Sequence, residues 1–156
     1  MTLKNGTITV NYTEMSTEGM YGRIVGAGMA SLIEKCTAQA DIILPDNVAN
    51  AGIVGGGLEM TSVVGCTATG TITAGEGARW IGGITGYAGG FEDESAGLPV
   101  TVFTGCTTEN VTFDLPEDSE GVGEIVGSGF YSEEAAEAMG VPFDQPTVYE
   151  IVEEAA

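Results

Sequence analysis

The chain has 156 residues, a length typical of one domain with enough residues to bury a core. It carries 23 acidic and only 4 basic residues, a formal net charge of −19, and such a surface would repel nucleic acid and anionic membranes. Hydrophobic residues make up 43% of the chain, which excludes a disordered acidic tail, yet no apolar run has the length of a membrane helix.

The first twenty residues contain one predicted strand and belong to an incomplete repeat. Gly6-Thr7-Ile8-Thr9 matches Gly70-Thr71-Ile72-Thr73 residue for residue, so the sequence begins inside a repeat. The N-terminus lacks the basic, apolar and small-residue pattern of a signal peptide. We expect the chain to be part of a longer protein. Either that protein is not exported, or its signal lies outside this sequence.

Four copies of a short motif organise the rest of the chain: Ile24-Val25-Gly26, Ile53-Val54-Gly55, Ile84-Thr85-Gly86 and Ile125-Val126-Gly127. They begin at intervals of 29, 31 and 41 residues, which is the self-similarity of a solenoid or an array. Each motif is β-branched, bounded by glycine and too short for a helix, so it predicts a strand. We expect the four isoleucines to form one internal column.

Three cysteines recur at one position of the repeat, in Cys36-Thr37, Cys66-Thr67 and Cys106-Thr107. An odd number of cysteines cannot complete a disulfide framework, and the chain has no histidine. A whole repeat separates the cysteines, whereas metal sites use short Cys-x-x-Cys spacings. We interpret them as small apolar residues stacked in a buried column, not as metal ligands.

The apolar residues around the cysteines predict a bent chain. The apolar residues that lie three positions before each cysteine are Ile33, Val63 and Phe103. An odd separation on a straight strand would place them on the face opposite the cysteines, so a bend is predicted at Gly65 and Gly105. In the third unit Val111 and Phe113 break the spacing that follows the cysteine, which predicts a register slip or bulge.

Insertions follow the motif in the third and fourth units, and they supply the candidate binding residues. These are Trp80, Tyr87, Phe91, Glu92, Asp93, Glu94 and Tyr131. Repeat proteins often bind through such loops, so we expect contact with a host protein or glycan of unknown identity. The acids also offer oxygen ligands for calcium, and no other cofactor is expected. The alternative is that the aromatic residues cover an edge and the acids are solvated.

These patterns predict an all-β fold, a right-handed parallel β-solenoid of about four rungs of about thirty residues. Three short strands per unit cannot bury their apolar faces alone, so each unit needs a neighbour. Residues 132–140 predict a short helix, and an atypical C-terminal cap follows. The single domain, 1–156, divides into a partial rung (1–20), rung 1 (21–49), rung 2 (50–79), rung 3 with its insertion (80–120) and rung 4 with helix and cap (121–156).

The pattern Gly-Ile-Val-Gly followed by Cys-Thr-Ala-x-Gly-Thr-Ile resembles the GLUG motif repeat of bacterial cell-surface proteins. The best match runs from Ala51 to Thr73, and the resemblance spans roughly residues 6–127. Arg23 and Glu124 replace the usual glycine before the isoleucine. The resemblance implies a secreted or wall-attached, adhesin-like protein, or a repeat arm of a large extracellular peptidase. It implies no catalytic residue within the repeat.

The leading functional hypothesis is a non-catalytic extracellular module, a spacer or adhesive arm of a bacterial surface protein. A carbohydrate-active β-helix enzyme is the first alternative, because carboxylates are plentiful enough for a glycosidase pair. However, histidine is absent and the only arginines are Arg23 and Arg79. A phage fibre or another virion structural protein is the second alternative. Trimers in solution would favour the fibre, and sugar cleavage would favour the enzyme.

Overall fold

The computed structural model describes residues 19–89, 100–129 and 149–153, and the secondary structure in these ranges is entirely β. Sixteen strands form four sheets there, and the strand pairs are parallel. This is the arrangement expected of a parallel β-helix, or solenoid, as the repeat predicted. No helix in these ranges is long and apolar enough to cross a lipid bilayer. The helix predicted for residues 132–140 lies outside the described residues.

The described strands are grouped by layer, a layer being one passage of the chain through the sheets. The first layer contains β1 (Tyr21–Gly22), β2 (Val25–Met29), β3 (Leu32–Glu34), β4 (Thr37–Gln39) and β5 (Ile42–Leu44). The second contains β6 (Ala49–Gly52), β7 (Gly55–Glu59), β8 (Ser62–Val64) and β9 (Thr67–Ala74). The third contains β10 (Arg79–Gly82), β11 (Thr85–Gly89), β12 (Thr101–Thr104) and β13 (Thr107–Asp114). The fourth contains β14 (Glu120–Gly123), β15 (Val126–Ser128) and β16 (Tyr149–Val152).

Each layer visits the sheets in the same order. Sheet A is β1-β6-β10-β14, sheet B is β2-β7-β11-β15 and sheet C is β3-β8-β12-β16. In sheet D, β9 pairs with β13 on one side and with β4 and β5 on the other. A layer therefore contributes to up to four sheets, where three strands per unit were expected.

The repeated isoleucine motif is a bend between sheets A and B, not a single strand. At this bend the backbone N–H groups of Ile24, Val54 and Ile84 donate to the carbonyls of Val54, Ile84 and Ile125 at 3.0–3.1 Å. The structural column is therefore Ile24, Val54, Ile84 and Ile125, and the prediction that placed Ile53 in it was wrong by one residue. In the corrected register the intervals are 30, 30 and 41 residues. Ile53 is also buried, one position earlier at the same bend.

The core runs between the sheets as stacks of equivalent side chains. Ile33 pairs with Val63, and Val63 with Phe103, so the apolar residues before the cysteines form one buried column as predicted. In sheet D the buried side chains also stack in register, with Ala38 opposite Ala68 and Ile42 opposite Ile72. Because each parallel neighbour is about 4.8 Å away, like side chains pack directly on one another.

The chain turns sharply between sheets C and D at Lys35, Gly65 and Gly105, with φ of 49°, 58° and 59°. This confirms the bend predicted at the two glycines. Glycine adopts a left-handed backbone without a steric penalty, whereas a lysine there is unusual. The parallel stack imposes the same turn on these three layers, so Lys35 adopts the conformation that its glycine neighbours favour.

The predicted irregularity in the third unit is present in β13. The register against β9 shifts between Thr107 and Asn110, which pair with Thr67 and Thr69, so β13 has one extra residue between these two pairs. Beyond the shift, Val111 lies opposite Gly70 and Phe113 opposite Ile72. Because of the extra residue, both apolar side chains lie on the same side of the sheet as the core residues of β9.

Candidate functional site

Two of the seven predicted binding residues lie in the described structure, namely Trp80 in β10 and Tyr87 in β11. Their exposed fractions are only 8% and 6%. Both are therefore largely covered within strands instead of being presented on a loop. The other five, Phe91, Glu92, Asp93, Glu94 and Tyr131, lie outside the described residues, so the proposed loop surface stays a prediction.

Tyr87 fits because the equivalent residue in the preceding layer is Gly57. A Cβ atom at Gly57 would lie 2.6 Å from Sδ of Met20 and 3.3 Å from Cδ1 of the Tyr87 ring, so the missing side chain leaves room for both. The Tyr87 hydroxyl donates a hydrogen bond to Oε1 of Glu59 at 3.2 Å. The packing of this aromatic ring against a glycine of the adjacent layer can be recognised only when the register between the paired strands is known.

Trp80 is accommodated in a similar way by Gly121 in the fourth layer. A Cβ atom at Gly121 would lie 2.7 Å from Cδ1 of the indole, so a larger residue there would displace the ring. Trp80 has a left-handed φ of 58°, matching 59° at Asn50 and 60° at Gly121 in the same column. The guanidinium carbon of Arg79 lies 5.2 Å from the ring centroid, within the range of a cation–π contact.

An open cleft of about 610 Å³ lies beside Arg79, along the turns that connect sheet D to sheet A. Its lining residues are Asn47, Gly77, Ala78, Arg79, Asp118 and Glu120. Oδ2 of Asp118 accepts a hydrogen bond from the Gly77 N–H at 3.3 Å, so this carboxylate helps to hold two turns together. The cleft is large enough for a small ligand, and its lining is about equally polar and apolar.

The outward face of sheet D is a polar surface that the sequence analysis did not single out. Side chains of β9 alternate, so the threonines at 67, 69, 71 and 73 point outward while Ala68 and Ile72 are buried. Thr37 and Thr107 flank Thr67 in register on the neighbouring strands. The Thr107 hydroxyl lies 3.1 Å from the Thr67 hydroxyl, within hydrogen-bond distance. Threonine at every second position signals this face, once β9 is known to be one strand.

The cysteine column is where it was predicted. Cys36 and Cys66 are buried and Cys106 is half-buried. The Cys66 thiol lies 3.7 Å from the Val64 carbonyl, and the Cys106 thiol lies 3.5 Å from the Val63 carbonyl. Within the described ranges no group of three or more histidine, cysteine, aspartate or glutamate side chains could hold a metal ion. The predicted acidic loop lies outside those ranges, so calcium binding there stays a prediction.

Cys66 and Cys106 differ in acidity because their thiols interact. A side-chain hydrogen bond with Cys106, together with burial, raises the pKa of the Cys66 thiol. The same hydrogen bond from Cys66 lowers the pKa of Cys106 from 9.0 to about 7. Cys106 is therefore the thiol of this pair that ionises first as the pH rises.

We expect Cys106 to be alkylated by iodoacetamide with a rate that reaches half its maximum near pH 7. Below that pH the thiol is protonated and unreactive, and above it the thiolate predominates. The Cys66→Ala variant removes the hydrogen-bond donor that stabilises the Cys106 thiolate, so the midpoint for Cys106 should move toward 9.0. Mass spectrometry of the alkylated peptides gives the rates. Equal labelling of Cys66 and Cys106 in the folded protein would contradict the prediction.

No protein-family model matches the sequence, and no curated protein or solved structure matches it either.

Proposed function

We propose that this chain is a non-catalytic extracellular repeat module of a bacterial surface protein, acting as a spacer or adhesive arm. We further propose that it is a right-handed parallel β-solenoid of about four rungs and a GLUG-type repeat. The observation that carries the proposal is the pairing of a buried inner face with a hydroxyl-rich outer face along sheet D. The inner face stabilises the stack, and the outer face is available to a partner.

The outer face suits a hydroxylated polymer. Threonines at alternate positions are spaced by about 6.6 Å along a strand, and neighbouring strands lie about 4.8 Å apart. Each hydroxyl both donates and accepts hydrogen bonds, as sugar hydroxyls do. The parallel sheet fixes these groups before binding, which reduces the entropy lost on association. A glycan is therefore the partner that this face favours.

Glycan-array binding tests the adhesive role directly. Replacing Thr67, Thr69 and Thr71 with valine removes three hydroxyls but keeps the β-branched shape. We expect binding to weaken at least about tenfold, which corresponds to about 1.4 kcal/mol. The matched control is Thr104→Val on sheet C, which should bind like the wild type.

The same experiment separates the competing functions. Unchanged binding by the triple valine variant would place any adhesive contact away from sheet D. No binding to any glycan or extracellular matrix protein would leave the spacer role. Release of shorter oligosaccharides from a bound polysaccharide would overturn the non-catalytic proposal in favour of an enzyme.

A further inference from the structure

The first and fourth of the described layers carry opposite charges at equivalent positions. One position of the bend between sheets A and B is occupied in successive layers by Arg23, Ile53, Gly83 and Glu124. The backbone N–H of each of the first three donates to the carbonyl of the next at 3.1–3.2 Å, which establishes the column. A basic residue therefore begins this column and an acidic residue ends it.

A second column also runs from a basic residue in the first layer to an acidic residue in the fourth. Lys35, Gly65 and Gly105 share the left-handed corner between sheets C and D. The Gly105 N–H donates to the Val152 carbonyl at 3.2 Å, so the next residue, Glu153, continues the column in the fourth layer. Lys35 and Glu153 are both exposed. Lysine thus begins the column that glutamate ends.

The side chain of Arg23, in the first layer, has hydrogen-bond donors that are not used. Nε and Nη1 of Arg23 are buried, and neither has a hydrogen-bond partner among the described residues. Glu124 lies three layers away, or about 14 Å at 4.8 Å per layer, which is too far for an ion pair within one chain. Glu124 is exposed, and Oε1 of its carboxylate accepts a hydrogen bond from the Thr108 hydroxyl at 3.2 Å. An arginine can bind both oxygens of a carboxylate at once.

The core is open at the fourth layer. Val122 continues the column of Ile81 and is 44% exposed, whereas Ile81 is 0% exposed. Ile151 continues the column of Phe103 and is 53% exposed, whereas Phe103 is 1% exposed. A further parallel layer on this end would bury both side chains as their predecessors are buried.

We infer that a second copy of this chain stacks head to tail on the fourth layer, with its first layer continuing the parallel sheets. In that register Arg23 of one copy lies one layer from Glu124 of the other, and Lys35 lies one layer from Glu153. Both halves of the sequence are net acidic: residues 1–78 contain 7 acidic and 3 basic residues, net −4, and residues 79–156 contain 16 and 1, net −15. Long-range charge therefore opposes the association, and the two local contacts between opposite charges specify its polarity.

Such an interface is heterologous, because the two contacting surfaces differ. Its ends remain free after each addition, so copies add in a row and form a filament. The net charge of −19 opposes this association, so it requires enough salt to screen long-range repulsion. The Arg23–Glu124 contact is less sensitive to salt because it lies inside the stack. This inference holds whether or not the module binds a glycan.

Sedimentation velocity of the full chain in about 0.15 M salt, where the screening length is about 8 Å, tests the inference. The wild type should form species that grow with concentration. Arg23→Glu and Glu124→Arg should each weaken self-association at least about thirtyfold, because each places two like charges in contact. Far-UV circular dichroism verifies that both variants are folded. Arg79→Glu and Glu76→Arg are matched controls that change the same charges away from the ends.

An equimolar mixture of the two variants provides the decisive measurement. Arg23→Glu has two acidic ends and Glu124→Arg has two basic ends, so neither matches itself but each matches the other. The mixture should therefore restore association to the wild-type level. A wild type that stays monomeric at millimolar concentration would overturn the inference. Folded single variants that associate like the wild type, or a mixture that does not associate, would also overturn it.

Discussion

Replacing Phe103 with alanine should lower the free energy of unfolding by about 3–5 kcal/mol. Phe103 is the largest of the fully buried side chains in the described structure, and it lies in the middle of the sheet C column. Its ring also contacts Tyr149 edge-on, with centroids 6.4 Å apart. The truncation therefore leaves a cavity and removes an aromatic contact.

Urea denaturation followed by the fluorescence of Trp80, the only tryptophan, measures this loss. The control is Val102→Ala in the same strand, where the side chain is only half-buried and should cost about 1 kcal/mol. Because β16 pairs only with β12 in sheet C, amide hydrogen exchange in residues 149–152 should also accelerate in the Phe103 variant. Equal losses for the two variants would contradict the burial that the structure assigns to them.

Replacing Gly86 with alanine should destabilise the fold by about 2–3 kcal/mol, although only one methyl group is added. A Cβ atom at Gly86 would overlap the backbone nitrogen of Ala51 and the carbonyl oxygen of Trp80. These are backbone atoms inside two paired strands, so they cannot move aside as a flexible side chain could. The two sheets at the bend would have to separate.

Gly26 is the matched control because it holds the same position of the motif in the first layer. A Cβ atom there would meet only the Met20 carbonyl oxygen, at 3.2 Å. Gly26→Ala should therefore be nearly neutral, since restricting the unfolded chain offsets a small local adjustment. Thermal melting of the two variants compares them. A larger loss at Gly26 than at Gly86 would show that the close approach does not determine the requirement for glycine.

The sequence predicted the repeat, the buried cysteine column, the bend and the bulge, because each follows from side-chain spacing alone. It misplaced the second isoleucine motif by one residue because Gly55-Gly56-Gly57 allows two alignments. Residue identity favoured Ile53, whereas backbone pairing selects Val54. A pattern of residue types cannot distinguish two apolar β-branched neighbours when both are buried.

Burial at the candidate site could not be predicted for a related reason. Trp80 and Tyr87 were predicted to be available for binding because they lie next to the insertion of the third unit. Their coverage depends on Gly121 and Gly57, which are 41 and 30 residues distant in the sequence. Only the register between layers brings each ring over its glycine. The threonine face could not be recognised from the sequence, because its threonines lie on three strands that are far apart in the sequence. These strands become neighbours only in sheet D.

The 30-residue intervals that separate Ile24, Val54 and Ile84 have an evolutionary consequence. Unequal recombination that removed residues 54–83 would join Ile53 to Ile84, and the chain would re-enter the next layer at the equivalent position. Every inward side chain would stay inward, whereas a loss of 29 residues would turn each following strand over. Duplication of the same segment would lengthen the stack equally well. Descendants of such a gene can therefore vary in the number of layers while the length of each layer is conserved.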